Sequence, residues 1–297
     1  MRFPLKRWPK LLFAQVYTRN ALTHRLIARL PRRHLDRPIF IIGVPRSGTS
    51  VFCTLFGGNR NLAHWSEAQA AWDPKWKKVE VSHRWSSDRA TPKEIRRIDN
   101  NFAYFTKWKK CERFLNKCPR NSLRIPFLMK GWPDAKIIYI QRDPRAVVNS
   151  LVNETRRDSF RKVDPLGRFA RPDDYDAICA HENEVERFSL MVKSIHETLA
   201  DDFESCVPRD QIFKVTYEEF GKDCRGMIRR ACEFCEVPVD EEVLVREVPE
   251  TLENRNYKWT KQRTAEEIAI IDRILTPIVV ELGYEEDADW RERLSVE

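Results

Sequence analysis

With 297 residues, of which 42% are hydrophobic and 33% charged, the chain can bury a substantial core, which excludes an intrinsically disordered protein. No apolar run approaches the roughly 18–20 residues that span a bilayer, and the first residues lack the uninterrupted apolar stretch of a cleavable signal peptide. We therefore expect a cytoplasmic protein, with contact to a membrane surface as an open alternative.

The net charge of +8 is concentrated at the amino terminus. Residues 1–37 carry ten Lys and Arg against one acid, Asp36, so this segment is +9 and the remaining chain is −1. We predict a basic helical arm over 1–37 and a single domain over 38–297. Near-helical spacing of apolar residues predicts that the arm packs on its own domain through Leu12, Val16, Leu22, Leu26 and Leu30. Contact with a membrane or a partner protein stays open, whereas nucleic acid is disfavoured because no aromatic and basic stripe continues into the domain.

The first strong strand signal is PIFIIGV, residues 38–44, and it runs into a glycine-containing loop. Gly43 and Gly48 let backbone N–H groups converge on an anion at a helix N-terminus, and Thr49 and Ser50 add hydroxyl donors. A triphosphate-binding loop would carry a lysine before the Ser or Thr, but the nearest cation here is Arg46. The loop is therefore interpreted as the site of a smaller anionic group, which disfavours magnesium-ATP chemistry.

Two weaker strand signals follow, at residues 61–65 and 113–117. Glu67 comes just after the first, and Lys117 ends the second. Ligands of parallel α/β sheets bind beyond the carboxyl ends of the strands. We therefore expect Glu67 and Lys117 to lie near the loop that contains Arg46.

The segment IIYIQRDPRAVVNSL indicates a second anion site. A strand over 136–141 ends before Arg142, a helix starts at Pro144, and Ser150 lies eight residues after Arg142, about two helical turns along that helix. Arg142 and Ser150 are thus predicted to bind a second phosphate. The alternative for Arg142 is a surface ion pair with Asp143.

Helical segments separate these strands and a further one at 211–216. Helix starts are predicted at Thr91-Pro92 and at Thr264, where Glu267 completes a capping box, and one long helix is predicted from Tyr175 to Phe203. The nearly continuous apolar strands are typical of parallel strands that are covered on both faces. The pattern predicts an α/β protein with three layers, α/β/α, around a central, mainly parallel sheet.

Eight cysteines are present, and only Cys232 and Cys235 form a CxxC pair. No second pair supplies the other ligands of a structural zinc site. Because the surrounding segment has the pattern of an amphipathic helix, we expect reduced cysteines and no metal site.

The paired motifs VPRSGTS and IIYIQRDPRAVVNSL resemble the nucleotide-binding motifs of sulfotransferases that use 3′-phosphoadenosine-5′-phosphosulfate (PAPS). NKCPRN, VTYEEF and NYKWTK resemble further segments of that family, so the resemblance extends from about residue 38 to 284. It implies a P-loop-NTPase-like sulfotransferase fold, with PAPS as donor, 3′,5′-adenosine bisphosphate (PAP) as product and no metal. It also implies that the donor is bound by Pro45, Arg46, Ser47, Gly48, Thr49, Ser50, Arg142, Ser150, Tyr217 and Lys258.

The same resemblance implies a general base, a residue that removes the acceptor's proton. We predict Glu67, because protein-tyrosine sulfotransferases and related proteins have a catalytic glutamate at this position in the chain. Glu67 could instead open a helix, and His64 and His83 are alternative bases, since cytosolic small-molecule sulfotransferases use a histidine. Arg46 and Lys117 are expected to stabilise the leaving phosphate.

One departure concerns the tyrosine-sulfating branch, which has an arginine four residues after the serine, where this chain has Glu154. Arg156 or Arg157 could substitute, and specificity for tyrosine in proteins is not supported. We expect a hydroxyl or amine of a carbohydrate, small metabolite or peptide as acceptor. Residues 153–174 and the tryptophan-rich residues 72–85 are candidates for an acceptor cleft, although the tryptophans could instead pack the domain.

Two rival functions stay open from the sequence. One is a diverged P-loop nucleotide kinase that would use Asp143 for its metal. The other is a non-catalytic scaffold or membrane-surface protein that would use the basic arm. A homodimer is compatible with either function and with the sulfotransferase.

Overall fold

The computed structural model describes residues 21–74, 82–157, 165–166 and 169–289. Its centre is a parallel sheet with the strand order β2-β3-β1-β4-β5. The strands are β1 (Ile39–Ile42), β2 (Leu62–Ser66), β3 (Arg113–Lys117), β4 (Lys136–Gln141) and β5 (Ile212–Thr216). Because β1 lies between β3 and β4, the loop that follows β1 lies beside the carboxyl ends of both neighbours.

Helices connect the strands and cover both faces of the sheet. They are α1 (Ala21–Ile27), α2 (Thr49–Phe56), α3 (Gln69–Trp72), α4 (Pro92–Lys109), α5 (Ile125–Gly131), α6 (Pro144–Arg157), α7 (Tyr175–Cys179), α8 (Glu184–Cys206), α9 (Tyr217–Lys222), α10 (Cys224–Phe234), α11 (Glu241–Glu247), α12 (Lys258–Gln262) and α13 (Ala265–Glu281). Short 3₁₀ turns occur at Ser87–Arg89, Pro119–Leu123 and Arg209–Gln211.

Successive residues of β1 point into two separate hydrophobic cores. Ile39 and Ile41 pack with residues of α2 and α10, whereas Phe40 and Ile42 pack with residues of α4, α6, α8 and α13. All four β1 side chains are fully buried, which explains why this strand is an unbroken apolar run in the sequence. The predicted three-layer α/β/α architecture is confirmed.

The long helix predicted from Tyr175 to Phe203 is wrong, because the structure divides it into α7 and α8. Asn183 causes the division: its side chain accepts hydrogen bonds from the backbone N–H groups of Val185 and Glu186 and so caps α8. The predicted capping box at Thr264 is present at the start of α13.

The face of the arm that packs on the domain differs from the predicted one. His24 and Ile27 are buried, whereas Leu22, Leu26 and Leu30 are 62%, 56% and 40% exposed. Polar contacts decide this packing, because the Asn100 and Asn101 side chains of α4 donate to backbone carbonyls at residues 24, 27, 28 and 30. Leu12 and Val16 lie outside the described residues, and contact of the arm with a membrane or partner stays a prediction.

Two tryptophans of the segment proposed for the acceptor cleft pack the domain instead. Trp72 and Trp85 are almost completely buried. Residues 75–81 of that segment, and 158–164 and 167–168 of the connection at 153–174, lie outside the described residues. In the part that is described, α6 continues to Arg157, so the connection begins as helix rather than as loop.

Cys232 and Cys235 lie at the end of α10 and are buried as free thiols. Burial raises the pKa of Cys232 to about 11 and that of Cys235 to about 12, so both are protonated core residues at neutral pH. Within the described ranges, no group of three or more His, Cys, Asp and Glu side chains has an arrangement that could hold a metal ion. The helices described there are also too short or too polar to cross a membrane.

Asp99 of α4 joins the arm to the domain core and provides a test of this packing. Its fully buried carboxylate accepts hydrogen bonds from Trp132 Nε1 (2.7 Å) and from the backbone N–H of Leu35 (3.2 Å), and its Oδ2 lies 2.7 Å from His34 Nδ1. We expect Asp99→Ala to lower the free energy of unfolding by about 2–4 kcal/mol, because it leaves buried donors without an acceptor.

Urea denaturation of Asp99→Ala measures this loss directly. The matched control is Asp88→Ala, which removes the same charge from an exposed position. A loss in Asp99→Ala no larger than that of the control would contradict the anchoring role.

Candidate active site

A cavity of about 660 Å³ opens at the carboxyl edge of the sheet. Most of the predicted site residues line it, namely Pro45, Arg46, Gly48, Thr49, Ser50, Glu67, Arg142, Ser150, Tyr217 and Lys258. Ser47 and Lys117 are buried behind the lining. Residues distant in sequence meet here because each of β1, β2, β4 and β5 ends at this edge, and α6 and α12 complete the wall.

The loop after β1 is shaped by a tight approach to Tyr217, at the start of α9, and by left-handed backbone. Gly48 has φ of 100°, and a Cβ at this position would lie 2.6 Å from the Tyr217 ring. The Ser122 hydroxyl bridges the backbone of Gly43, accepting from its N–H at 3.0 Å and donating to its carbonyl at 2.8 Å. The Ser47 hydroxyl is buried and has no hydrogen-bond partner among the described residues, so the loop retains an unused donor.

Arg142 connects the end of β4 to this loop. Its Nη1 donates to the backbone carbonyl of Arg46 at 3.1 Å, and its guanidinium lies 4.4 Å from the centre of the Tyr217 ring. Burial lowers the pKa of Arg142, but the guanidinium stays charged at neutral pH. The alternative ion pair with Asp143 is not observed, because Asp143 is paired with Arg145 at 2.9 Å.

A chain of polar side chains that sequence reasoning missed holds Arg142 in place. Arg142 Nε donates to Asn256 Oδ1 at 2.9 Å, and Asn256 Nδ2 donates in turn to Glu218 Oε1. The other oxygen of Glu218 accepts from the Tyr284 hydroxyl at 3.1 Å, and burial together with the Glu218 charge raises the pKa of Tyr284. Glu218 lies in the quoted VTYEEF segment, but nothing in the sequence indicated its contact with residues 256 and 284.

Ser150 contacts Arg46 rather than Arg142. Arg46 Nε donates to Ser150 Oγ at 3.1 Å, and Arg46 Nη2 lies 3.6 Å from Glu154 Oε2. The residue that departs from the tyrosine-sulfating pattern therefore faces the cavity. Of the two possible substitutes for the missing arginine, Arg157 lines the cavity, whereas Arg156 pairs with Glu184 and Glu267.

Glu67 and Lys117 form an ion pair at the ends of β2 and β3. Lys117 Nζ donates to Glu67 Oε1 at 2.6 Å, and the backbone N–H of Glu67 donates to the Lys117 carbonyl at 2.7 Å. The Lys117 side chain is 4% exposed and that of Glu67 55%, so the lysine supports the carboxylate from behind. Glu67 does not open a helix: it has a left-handed φ of 56°, and α3 begins only at Gln69. Such strained backbone is often found at functional sites.

Neither alternative base lines the cavity. His64 Nε2 lies 3.1 Å from Cys53 Sγ, and burial lowers the pKa of His64. Burial lowers the pKa of His83 to about 2, and His83 Nδ1 accepts a hydrogen bond from the backbone N–H of Arg171 at 2.9 Å. Both rings are engaged in local packing away from the cavity that Glu67 faces.

Comparison with known proteins gives one consistent result. The model of the sulfotransferase family matches residues 38–241. The chain is similar to a protein-tyrosine sulfotransferase A of Caenorhabditis elegans, with 26% identity over 220 residues that cover 70% of this chain and 52% of the relative. The present chain spans 52%, 30% and 40% of the lengths of three curated relatives that it matches.

Solved structures share the fold. A sulfotransferase domain from the Curacin biosynthetic pathway aligns with a TM-score of 0.56 and 14% identity, covering 85% of this chain and 99% of that domain. A sulfotransferase from Mycobacterium avium aligns with a TM-score of 0.53 and 15% identity, covering 88% of this chain and 83% of that one.

The polar chain behind Arg142 yields a prediction. Glu218→Gln replaces the carboxylate that accepts from Asn256 Nδ2 by a neutral amide, so a charge-assisted hydrogen bond becomes a weaker one and Arg142 is oriented less firmly. We expect about tenfold weaker binding of PAP, the size of one charge-assisted hydrogen bond, and a much smaller change for 5′-AMP, which lacks the 3′-phosphate that the family resemblance assigns to Arg142.

Isothermal titration calorimetry with both nucleotides measures these affinities. The control is Glu219→Gln, which makes the same change at the next residue, where Glu219 accepts from the Thr216 hydroxyl away from the cavity. Equal losses in the two variants would show that Glu218 has no special role in orienting Arg142.

Proposed function

We propose, because the chain belongs to the sulfotransferase family, that it transfers the sulfuryl group of PAPS to a hydroxyl or amine of a carbohydrate, small metabolite or peptide. The family resemblance of the sequence motifs is confirmed by the family match. The observation that carries the proposal is the meeting of Arg46, Glu67 and Arg142 around one cavity, although they follow three different strands. That arrangement combines anion-binding cations with a carboxylate that can accept a proton.

The side chains around the cavity fit a nucleotide with anionic groups at both ends of its ribose. Arg46, Thr49 and Ser50 lie on the side of the loop after β1, whereas Arg142 directly follows β4 and Ser150 lies on α6. The buried Ser47 hydroxyl, without a partner among the described residues, would gain one from an anion in the loop. PAPS, when bound there, supplies the sulfuryl group and leaves as PAP.

Glu67 is proposed as the general base. Its carboxylate is more than half exposed and lines the cavity, and one of its oxygens, Oε1, is held by Lys117. The other oxygen, Oε2, has no hydrogen-bond partner in the part of the chain that the structure describes. In the proposed reaction Oε2 takes the proton of the acceptor hydroxyl or amine as the acceptor attacks sulfur.

Lys117 and Arg46 are proposed to stabilise the negative charge that develops on the leaving phosphate. The ammonium of Lys117 has three N–H donors, of which one is directed at Glu67. The remaining two can donate to the leaving group, and because Lys117 is buried behind the cavity lining, this contact requires its side chain to move toward the cavity. Cations in contact with the leaving group lower the barrier because they stabilise the negative charge that develops in the transition state.

The kinase alternative is disfavoured by the surroundings of Asp143. Arg145 donates to both carboxylate oxygens of Asp143, which is buried, so this residue is poorly placed to bind magnesium. The scaffold alternative makes no use of Glu67 and Lys117, and it predicts no transfer activity.

Nucleotide binding separates the sulfotransferase from the kinase. We expect micromolar PAP to raise the melting temperature in the absence of magnesium, because binding to the folded state alone stabilises it, whereas ATP with magnesium should raise it much less. Differential scanning fluorimetry makes this comparison. Equal stabilisation by magnesium-ATP would favour the kinase, and no effect of either nucleotide would favour the scaffold.

Replacement of the proposed base tests the mechanism. Glu67→Gln keeps the shape of the side chain but removes the proton acceptor, so turnover should fall by roughly two to four orders of magnitude, while PAP affinity stays within about twofold of wild type. Transfer of radiolabelled sulfate from PAPS to an acceptor, first found by screening pools with the wild type, measures turnover.

The matched control for this test is Glu112→Gln, an exposed glutamate just before β3, at the sheet edge opposite Lys117. It should keep wild-type turnover. Near-normal turnover in Glu67→Gln would rule out Glu67 as the base.

A further inference from the structure

Glu154 lies inside a cavity that is otherwise suited to anions. It follows Ser150 by one turn of α6, and both side chains contact Arg46, at 3.6 Å from Glu154 Oε2 and at 3.1 Å from Ser150 Oγ. Glu154 and Arg46 are each about 40% exposed, with side-chain values of 39% and 41%, so solvent and ligands can reach the pair. A carboxylate is thus placed where a phosphate is expected to bind.

Among the described residues, two acidic side chains line the cavity, and each is paired with a different cation. Glu67 is paired with Lys117, which is buried behind it and does not itself line the cavity. Glu154 has no such dedicated cation among the described residues, and its ion pair is with Arg46, the cation of the loop after β1. A nucleotide that uses Arg46 must therefore compete with Glu154.

The backbone and the side chain of Arg46 are held by different groups. Arg142 fixes the backbone carbonyl, whereas only Ser150 and Glu154, both on α6, hold the guanidinium in the described structure. The side chain can therefore move between α6 and the loop without any change in the backbone. In the described position the Arg46 guanidinium contacts α6. In a second position the same guanidinium would contact an anion bound in the loop.

We propose that Glu154 is an affinity-setting residue, an internal carboxylate that competes with the nucleotide for Arg46 and repels the phosphate that binds beside Ser150. This inference rests on the proposed function. Glu154 weakens the binding of both PAPS and PAP and speeds release of PAP after transfer, because Arg46 returns to Glu154 when the product leaves. It has no part in the chemical step.

Glu154→Gln tests the inference through a gain of affinity, which a damaged fold would not produce. We expect PAP to bind about three- to tenfold more tightly, the range for one partly exposed charge interaction. Because changes in affinity are mostly changes in dissociation rate, the dissociation rate of PAP should fall by a similar factor. Calorimetry and stopped-flow displacement measure the two quantities.

The matched control is Glu204→Gln, which makes the same change in net charge at an exposed position on α8, outside the cavity. It should leave PAP affinity unchanged. A second test combines Glu154→Gln with Arg46→Ala, where the gain should shrink because the competition for Arg46 has been removed.

The outcomes separate this inference from the proposed function. If the wild type binds PAP and Glu154→Gln binds it equally or less tightly, Glu154 does not set affinity. The same conclusion follows if Glu204→Gln tightens binding as much. If the wild type does not bind PAP at all, the proposed function itself is overturned.

Discussion

The hydrogen bond from Arg142 to the backbone carbonyl of Arg46 is the contact on which the arrangement of the site depends. It joins the residue after β4 to the loop after β1, two strands that are neighbours in the sheet. Arg46 has a left-handed φ of 76°, which is unfavourable for a residue with a side chain and needs support from its surroundings. Arg142 provides that support, and Tyr217 and Asn256 hold Arg142 in turn. The Arg142 guanidinium thus connects the loop after β1 to two other parts of the chain, at Tyr217 and Asn256.

A second pair of strand ends supplies the opposite side of the cavity. Because β2 and β3 are parallel neighbours, Glu67 and Lys117 come together directly at their ends, with one backbone and one side-chain hydrogen bond between them. The carboxylate is exposed and its cation is buried. This asymmetry suits a group that exchanges a proton with a substrate while its position is fixed from behind.

The sheet and the position of the site could be predicted because both depend on local patterns. Strands buried on both faces are continuous apolar runs, and the residues after them in a parallel sheet gather at one edge. What could not be predicted depends on contacts between distant segments. The polar contacts of Asn100 and Asn101 decide which face of α1 is buried, and no spacing of leucines reports them. The contacts of Glu218 with Asn256 and Tyr284, and of Arg46 with Ser150, likewise join segments whose separation in the chain carries no periodic signal.

The polar chain that ends at Tyr284 extends the site beyond the region that the family model matches. The family match covers residues 38–241, yet Asn256, Tyr284 and Glu285, which fix Arg142, Glu218 and Arg145, all lie beyond it. A fragment that ends where the family match ends would keep all five strands. It would lose Asn256 and Tyr284, whose hydrogen bonds hold Arg142 in position. In this protein the side chains that support Arg142, Glu218 and Arg145 therefore extend to residue 285, beyond the region that the family model matches.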